Sequence, residues 1–166
     1  REFDRLAREV EEMEARGFRV TISLLPENGA ADYLELPRLC FARWGNSGLR
    51  RHVAVKPTEL IQDFNPNNPA HVDDLVEQGT EIAKRCREAG LALEFDSVFH
   101  RELKALWEII WRVQEALGGW SGFGGTVQNY FADTERLVDG IIARARAFQA
   151  RVDRPSTQAQ AMAGDF

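Results

Sequence analysis

The stretch "YLELPRLCFARWGNSGLRRHVAVK", Tyr33 to Lys56, decides how the fold is read. Taken as two extended runs, Tyr33–Trp44 and Leu49–Lys56, it is a β-hairpin closed by "GNSG". A three-residue loop, Asn46-Ser47-Gly48, puts glycine where left-handed backbone is needed. Pro37 inside the first run places a break or a sheet edge there, because proline cannot donate to a strand ladder.

The hairpin register sorts the side chains onto two faces. Trp44 faces Arg50, Ala42 faces His52 and Phe41 faces Val53. One face carries Leu39, Phe41, Val53 and Val55 and reads as core. The other carries Arg38, Cys40, Ala42, Trp44, Arg50, His52 and Lys56, a basic surface with an aromatic ring beside an arginine. From Tyr33 to Lys56 five Lys/Arg stand against one acid, net +4. From Pro57 to Ala83 there are six acids and no Lys or Arg, net −6.

Outward from this stretch the pattern alternates between helix and strand signals. Phe3, Leu6, Val10 and Met13 recur at helical spacing over Arg1–Arg16, and Gly17 stops them. In "FRVTISLL" Phe18, Val20, Ile22 and Leu24 alternate with polar residues, as in a half-buried strand. Asn68 is a cap and Pro69 a first helical residue for a helix ended by Gly90. "LALEF" is a candidate fourth strand. Asp96 or Ser97 caps a long helix to Leu117, with Leu103, Leu106, Trp107, Ile110 and Val113 on its apolar face. Asp133 or Thr134 starts a last helix to Val152, and 153–166 is a polar tail without periodicity.

These elements predict an α+β fold. A small antiparallel sheet of three strands, or four with "LALEF", carries helices on one face and ends in a C-terminal helical hairpin. Residues 1–152 form a single domain. The order helix–strand–strand–strand–helix is shared with double-stranded-RNA-binding domains. Asp73 and Asp74, however, stand at the helix start that would have to approach phosphates.

The 166 residues are 44% hydrophobic, with ten Phe and four Trp, ample for a core. The net charge of −5 gives no overall attraction to nucleic acid or anionic lipid. Two cysteines without a C-x-x-C exclude a disulfide framework and fit a reducing compartment, so a cytoplasmic protein is expected. No apolar run is long enough to span a membrane. Three histidines, none with a second at i+3 or i+4, predict no metal site, and no cofactor is implied. "HRE" at His100–Glu102 lacks the P-C-x-x-C that zinc deaminases require.

"GWSGFGGT", Gly119 to Thr126, has P-loop spacing, but Gly125 stands where the lysine belongs and a helix, not a strand, precedes it. A glycine reversal between two helices is expected instead, with Trp120 and Phe123 either plugging the hairpin or anchoring a partner. The expectation is therefore binding rather than catalysis: an adaptor, accessory or inhibitor module. Its contact residues are Arg38, Trp44, Arg50, His52, Lys56, Trp120 and Phe123. The partner is a protein or a second copy of the chain. Nucleic acid on the hairpin is the alternative, and an enzyme whose site is not legible in sequence is the third.

Overall fold

A computed structural model describes residues 2–23, 29–45, 51–96, 100–127, 132 and 134–152. The chain divides into two compact units, Arg1–Thr126 and Val127–Phe166.

The first unit is built from βαβ crossovers. Helix α1 spans Glu2–Ala15, strand β1 Val20–Ser23, helix α2 Ala30–Trp44 and strand β2 Arg51–Val55. A short helix α3, Pro57–Leu60, and helix α4, Pro69–Glu88, lead to β3, Ala92–Phe95. A single 3-10 turn at His100–Glu102 opens α5, Leu103–Ala116, which is followed by β4, Phe123–Gly125. The strands lie in the order β1-β2-β3-β4 and every neighbouring pair is parallel.

This overturns the expected small antiparallel sheet: the fold is α/β. The decisive stretch is not a hairpin. Tyr33–Trp44 is helical, and β2 pairs with β1 and β3 instead. The buried residues of α2 are Tyr33, Leu36, Pro37 and Cys40, spaced at three and four, while Phe41 is turned out to 51% exposure. Pro37 costs the helix one backbone hydrogen bond, but its ring is buried on the core side. Gly45, at φ 60, ends α2 with its N–H donating to the Phe41 carbonyl at 2.8 Å. The expected loop at Asn46–Gly48 and Arg50 lie outside the described residues. Parallel neighbours cannot be joined by a tight turn, so each connection needs a helix; α2, α4 and α5 supply them.

Other expectations stand closer to the structure. Asn68 caps α4 by accepting from the Ala70 N–H at 3.1 Å, with Pro69 at the first position. "LALEF" does form a strand, β3. Asp96 does not cap a helix: it continues the β3 ladder, its N–H donating to the Val55 carbonyl at 2.9 Å. The glycine stretch is not a reversal between helices. Gly118 and Gly119, at φ 67 and 82, end α5, and the chain then enters the sheet as β4. The expected helical hairpin is thus split by a strand. Trp111, whose place was open between core and interface, is buried at the α5 surface beside the Trp107 ring.

Alternation fixes the two faces of the sheet. Val53, Val55, Leu93, Phe95 and Phe123 are buried in one core with Leu75, Ile82, Leu106, Ile110 and Val113 from α4 and α5. Two glycines allow close approach there. A Cβ at Gly79 would lie 2.7 Å from the Phe95 ring, and one at Gly125 would overlap Ile110. The strand order never reverses and α2, α4 and α5 line one face. The helices therefore cover one face of the sheet. The opposite face carries Thr21, exposed, and His52, Ala54, Ala92, Glu94 and Gly124, half-buried.

In the second unit helix α6, Thr134–Val152, has no fully buried side chain among its described residues. The expected polar tail, 153–166, lies outside the described residues. Among the described residues no helix is long and apolar enough to cross a membrane.

Candidate functional site

The residues expected to form one basic face are scattered by the α2 helix. Arg38 is exposed on α2, and its Nε donates to both Glu35 carboxylate oxygens at 2.9 Å. Trp44 is half-buried at the end of α2. Its Nε1 donates to Glu11 at 2.8 Å, and the Arg51 guanidinium lies 4.2 Å above its ring. Arg51 itself is buried and paired with Glu14. Arg43 pairs with Glu11 at 2.9 Å. Hydrogen bonds from Arg43 and Trp44 hold the Glu11 carboxyl below its ordinary pKa. The charge excess is thus answered largely from α1, whose two glutamates knit α1 to α2 and β2. His52 sits on the face of the sheet away from the helices, hydrogen-bonded to Thr21.

The aromatic loop residues turn toward the protein. Phe123 is buried edge-on against Phe95, ring centroids 5.1 Å apart. Trp120 is half-buried, its ring laid over Gly122 where a Cβ would overlap it. Gln114 Nε2 donates to the Trp120 and Phe123 carbonyls at 3.1 and 2.7 Å, fastening the loop to α5.

Lys56 is the one expected residue that lands in a new constellation. Arg51, Val53 and Val55 are buried, so the alternate positions His52, Ala54 and Lys56 belong to the opposite face of the sheet. The β2–β3 register continues one step beyond the strands and sets Asp96 beside Lys56. The β3–β4 register likewise sets Thr126 beside Asp96, with the Thr126 N–H on the Phe95 carbonyl at 3.0 Å. Thr126 Oγ1 donates to Asp96 Oδ1 at 2.7 Å. A row Lys56–Asp96–Thr126 therefore crosses three adjacent strands at their carboxyl ends, where α/β sheets bind ligands.

A second layer supports Lys56. Its Nζ is 3.6 Å from Glu59 Oε1, and Glu59 Oε2 accepts from the Tyr33 hydroxyl at 2.5 Å. Glu59 is placed by α3, whose backbone touches the start of α2: a Cβ at Gly29 would stand 3.2 Å from the Glu59 carbonyl. Burial first, and then the Glu59 carboxylate, push the Tyr33 hydroxyl well above the ordinary tyrosine value, so it remains a donor. The lysine thus rests on an anchored carboxylate and the aspartate on a hydroxyl. Glu94 and His52 add a carboxylate and an imidazole on the same face below the row. Among the described residues no group of three or more His, Cys, Asp or Glu could hold a metal ion.

Tyr33, Glu59, Glu94, Asp96 and Thr126 were not singled out in sequence as site residues. The signal that could have found Asp96 is a short apolar run closed by a charge, "LALEFD", matching "VAVK" at Lys56: parallel strands end in this way at a ligand edge.

No family model matches the chain, and no curated protein matches its sequence. A solved structure does. The crystal structure of the bifunctional proline utilization A (PutA) protein superposes with a TM-score of 0.68 at 26% sequence identity. The match covers 79% of this chain and 15% of the PutA chain. The two share the α/β arrangement, and this chain matches a small part of a much longer one.

Proposed function

We propose that the first unit is the substrate-binding segment of an α/β enzyme acting on a small amino or imino acid, with the carboxyl-edge row as its site. The observation that carries this reading is Lys56 beside Asp96 on neighbouring strands, one cation and one anion on the open side of the sheet. A zwitterion has complementary charges: its carboxylate meets the Lys56 ammonium and its amine meets Asp96. Tyr33 and Glu59 hold Lys56 in place, and Thr126 orients Asp96. The structural likeness to a protein named for proline utilization supports a cyclic imino acid as the first ligand to try. The hairpin on which a protein partner or nucleic acid was expected to dock is not formed. A cytoplasmic location belongs to the proposal, supported by Cys40 and Cys86, both free and buried.

The test is ligand-induced thermal stabilisation with L-proline, L-prolinamide and N-acetyl-L-proline. A site that binds only the native state gains about 2.7 kcal/mol at a ligand concentration of 100 Kd. L-proline is expected to raise Tm in the wild type and to do so far less in Lys56→Met and Asp96→Asn. Prolinamide, lacking the carboxylate, should be insensitive to Lys56→Met, and N-acetylproline, lacking the cationic amine, to Asp96→Asn. Stabilisation that is equal in the wild type and both variants would remove the row from consideration.

A further inference from the structure

We propose that the ligand of the carboxyl-edge site is an amino acid with a second cationic group on its side chain, and that Glu94 is the residue that selects it. This rests on the zwitterion reading of the row and narrows its substrate class.

A simple zwitterion leaves the charges of the site unbalanced. Among the described residues of the row, its support and the strand positions below, Lys56 is the one ammonium. Glu59, Glu94 and Asp96 are three carboxylates, so two negative charges are in excess. A neutral amino acid brings one charge of each sign and changes nothing. A ligand with a further cation offsets part of the excess.

The surroundings of Glu94 fit it to receive that cation. Leu93 and Phe95 are buried in the core with the helices, so alternation sets Glu94 on the other face, together with Asp96. Its partners in the strand register are Ala54 and Gly124, which carry no polar side-chain group. His52, on the same face, is hydrogen-bonded to Thr21. The half-buried Glu94 side chain has no ion pair among the described residues. A carboxylate partly withdrawn from water without a counter-charge favours a cation that can reach it. Space is open beside it as well: a Cβ added at Gly124 would meet nothing within 4 Å.

Spacing sets the length of the ligand. Asp96 and Glu94 are two residues apart on one strand, roughly 6.6 Å along it. The two nitrogens of an extended ornithine are about 6 Å apart, given ordinary bond lengths. With its carboxylate on Lys56 and its α-amine on Asp96, the side-chain amine of such a ligand comes level with Glu94. Its methylenes lie over the small residues Ala54 and Gly124.

Titration calorimetry on the full chain tests this with L-ornithine, L-norvaline and L-2,3-diaminopropionate. Norvaline is ornithine without the side-chain amine, and diaminopropionate is too short to span the two carboxylates. The wild type is expected to bind ornithine about tenfold more tightly than norvaline, the scale of one charge-assisted hydrogen bond at a half-buried position. Diaminopropionate should gain less. Glu94→Gln should bring ornithine down to the norvaline level and leave norvaline unchanged, and Glu94→Asp should keep part of the preference. Lys56→Met should weaken ornithine and norvaline alike.

Equal binding of ornithine and norvaline by the wild type overturns the proposal, and that comparison needs no variant to fold. A preference for ornithine that survives Glu94→Gln overturns it too. In both cases sensitivity to Lys56→Met would leave the zwitterion row standing. Binding of L-proline without binding of ornithine likewise overturns only the second cation. Failure of every ligand to bind, or indifference of all of them to Lys56→Met and Asp96→Asn, removes the row and this inference with it.

Discussion

Two adjacent glycines in β4 should respond in opposite directions to the same added methyl group. Gly124 faces away from the helices and an added Cβ meets nothing within 4 Å. Gly125 faces the helices. There an added Cβ would overlap Ile110 Cδ1 and stand 3.2 Å from the Phe95 carbonyl oxygen. Replacing glycine by alanine where the backbone tolerates it stabilises by about 0.4–1 kcal/mol, because the unfolded chain loses freedom. Overpacking a core costs about 1–3 kcal/mol. Ile110 is only 2% exposed, and the Phe95 carbonyl is held in the sheet, so little relief is open to either. Gly124→Ala should therefore gain up to about 1 kcal/mol, and Gly125→Ala should lose about 1–2 kcal/mol net. For a chain of this size 1 kcal/mol moves Tm by about 2–4 °C, so the two melting curves should fall on either side of the wild type. Ile110→Val in the Gly125→Ala background should recover part of the loss, a coupling of about 0.5 kcal/mol or more. Equal shifts for both glycines, or no coupling to Ile110, would refute the β4 register and restore the glycine stretch to a plain turn.

The two thiols supply a pH test. Burial pushes Cys40 up to about 12 from an ordinary value of 9.0, and burial followed by the Cys40 charge does the same for Cys86. The folded state keeps these protons longer than the unfolded state. Stability should therefore be whole below pH 9 and fall as pH rises toward 12, by up to about 1.4 kcal/mol per pH unit per thiol. Urea midpoints that stay flat between about pH 8.5 and 10.5 would contradict the burial. Arg51→Ala removes the guanidinium between Glu14 and the Trp44 ring. With Glu14 partly solvated, the cost should be about 1–3 kcal/mol in a denaturant titration, and Glu14→Gln should cost less. A loss below about 0.5 kcal/mol would show that the cluster does not hold α1 to β2.

The error over Tyr33–Trp44 has a physical source. Leu39, Phe41, Val53 and Val55 fit a two-residue period, and "GNSG" fits a hairpin turn. The same run also fits a helical period through Tyr33, Leu36, Pro37 and Cys40, and Pro37 weighed against helix locally. The choice turned on which side chains find a core. Once β2 pairs with β1 and β3, an antiparallel partner has no edge left beside it. β4 was illegible for a related reason: three residues, two of them glycine, carry no strand propensity. They form a strand because β3 offers an open edge and Gly125 lets α5 come close. The site was hidden likewise. Lys56 was noticed for its charge, but its neighbours Asp96 and Thr126 are 40 and 70 positions further along the chain, joined to it only by parallel register.

Local chemistry alone determined α1, the Asn68–Pro69 start of α4, the apolar stripe of α5, the extent of α6 and the strand character of Val20–Ser23 and Ala92–Phe95. Each depends on periodicity or on a cap, and these act within a few residues. Only the tertiary structure decided that the strands run parallel, that Tyr33–Trp44 is a crossover helix, and that Trp44, Arg51 and Phe123 turn inward. It also decided that Lys56 and Asp96 stand level on neighbouring strands. Those outcomes depend on pairing and burial between segments far apart in the chain, and no local propensity records them.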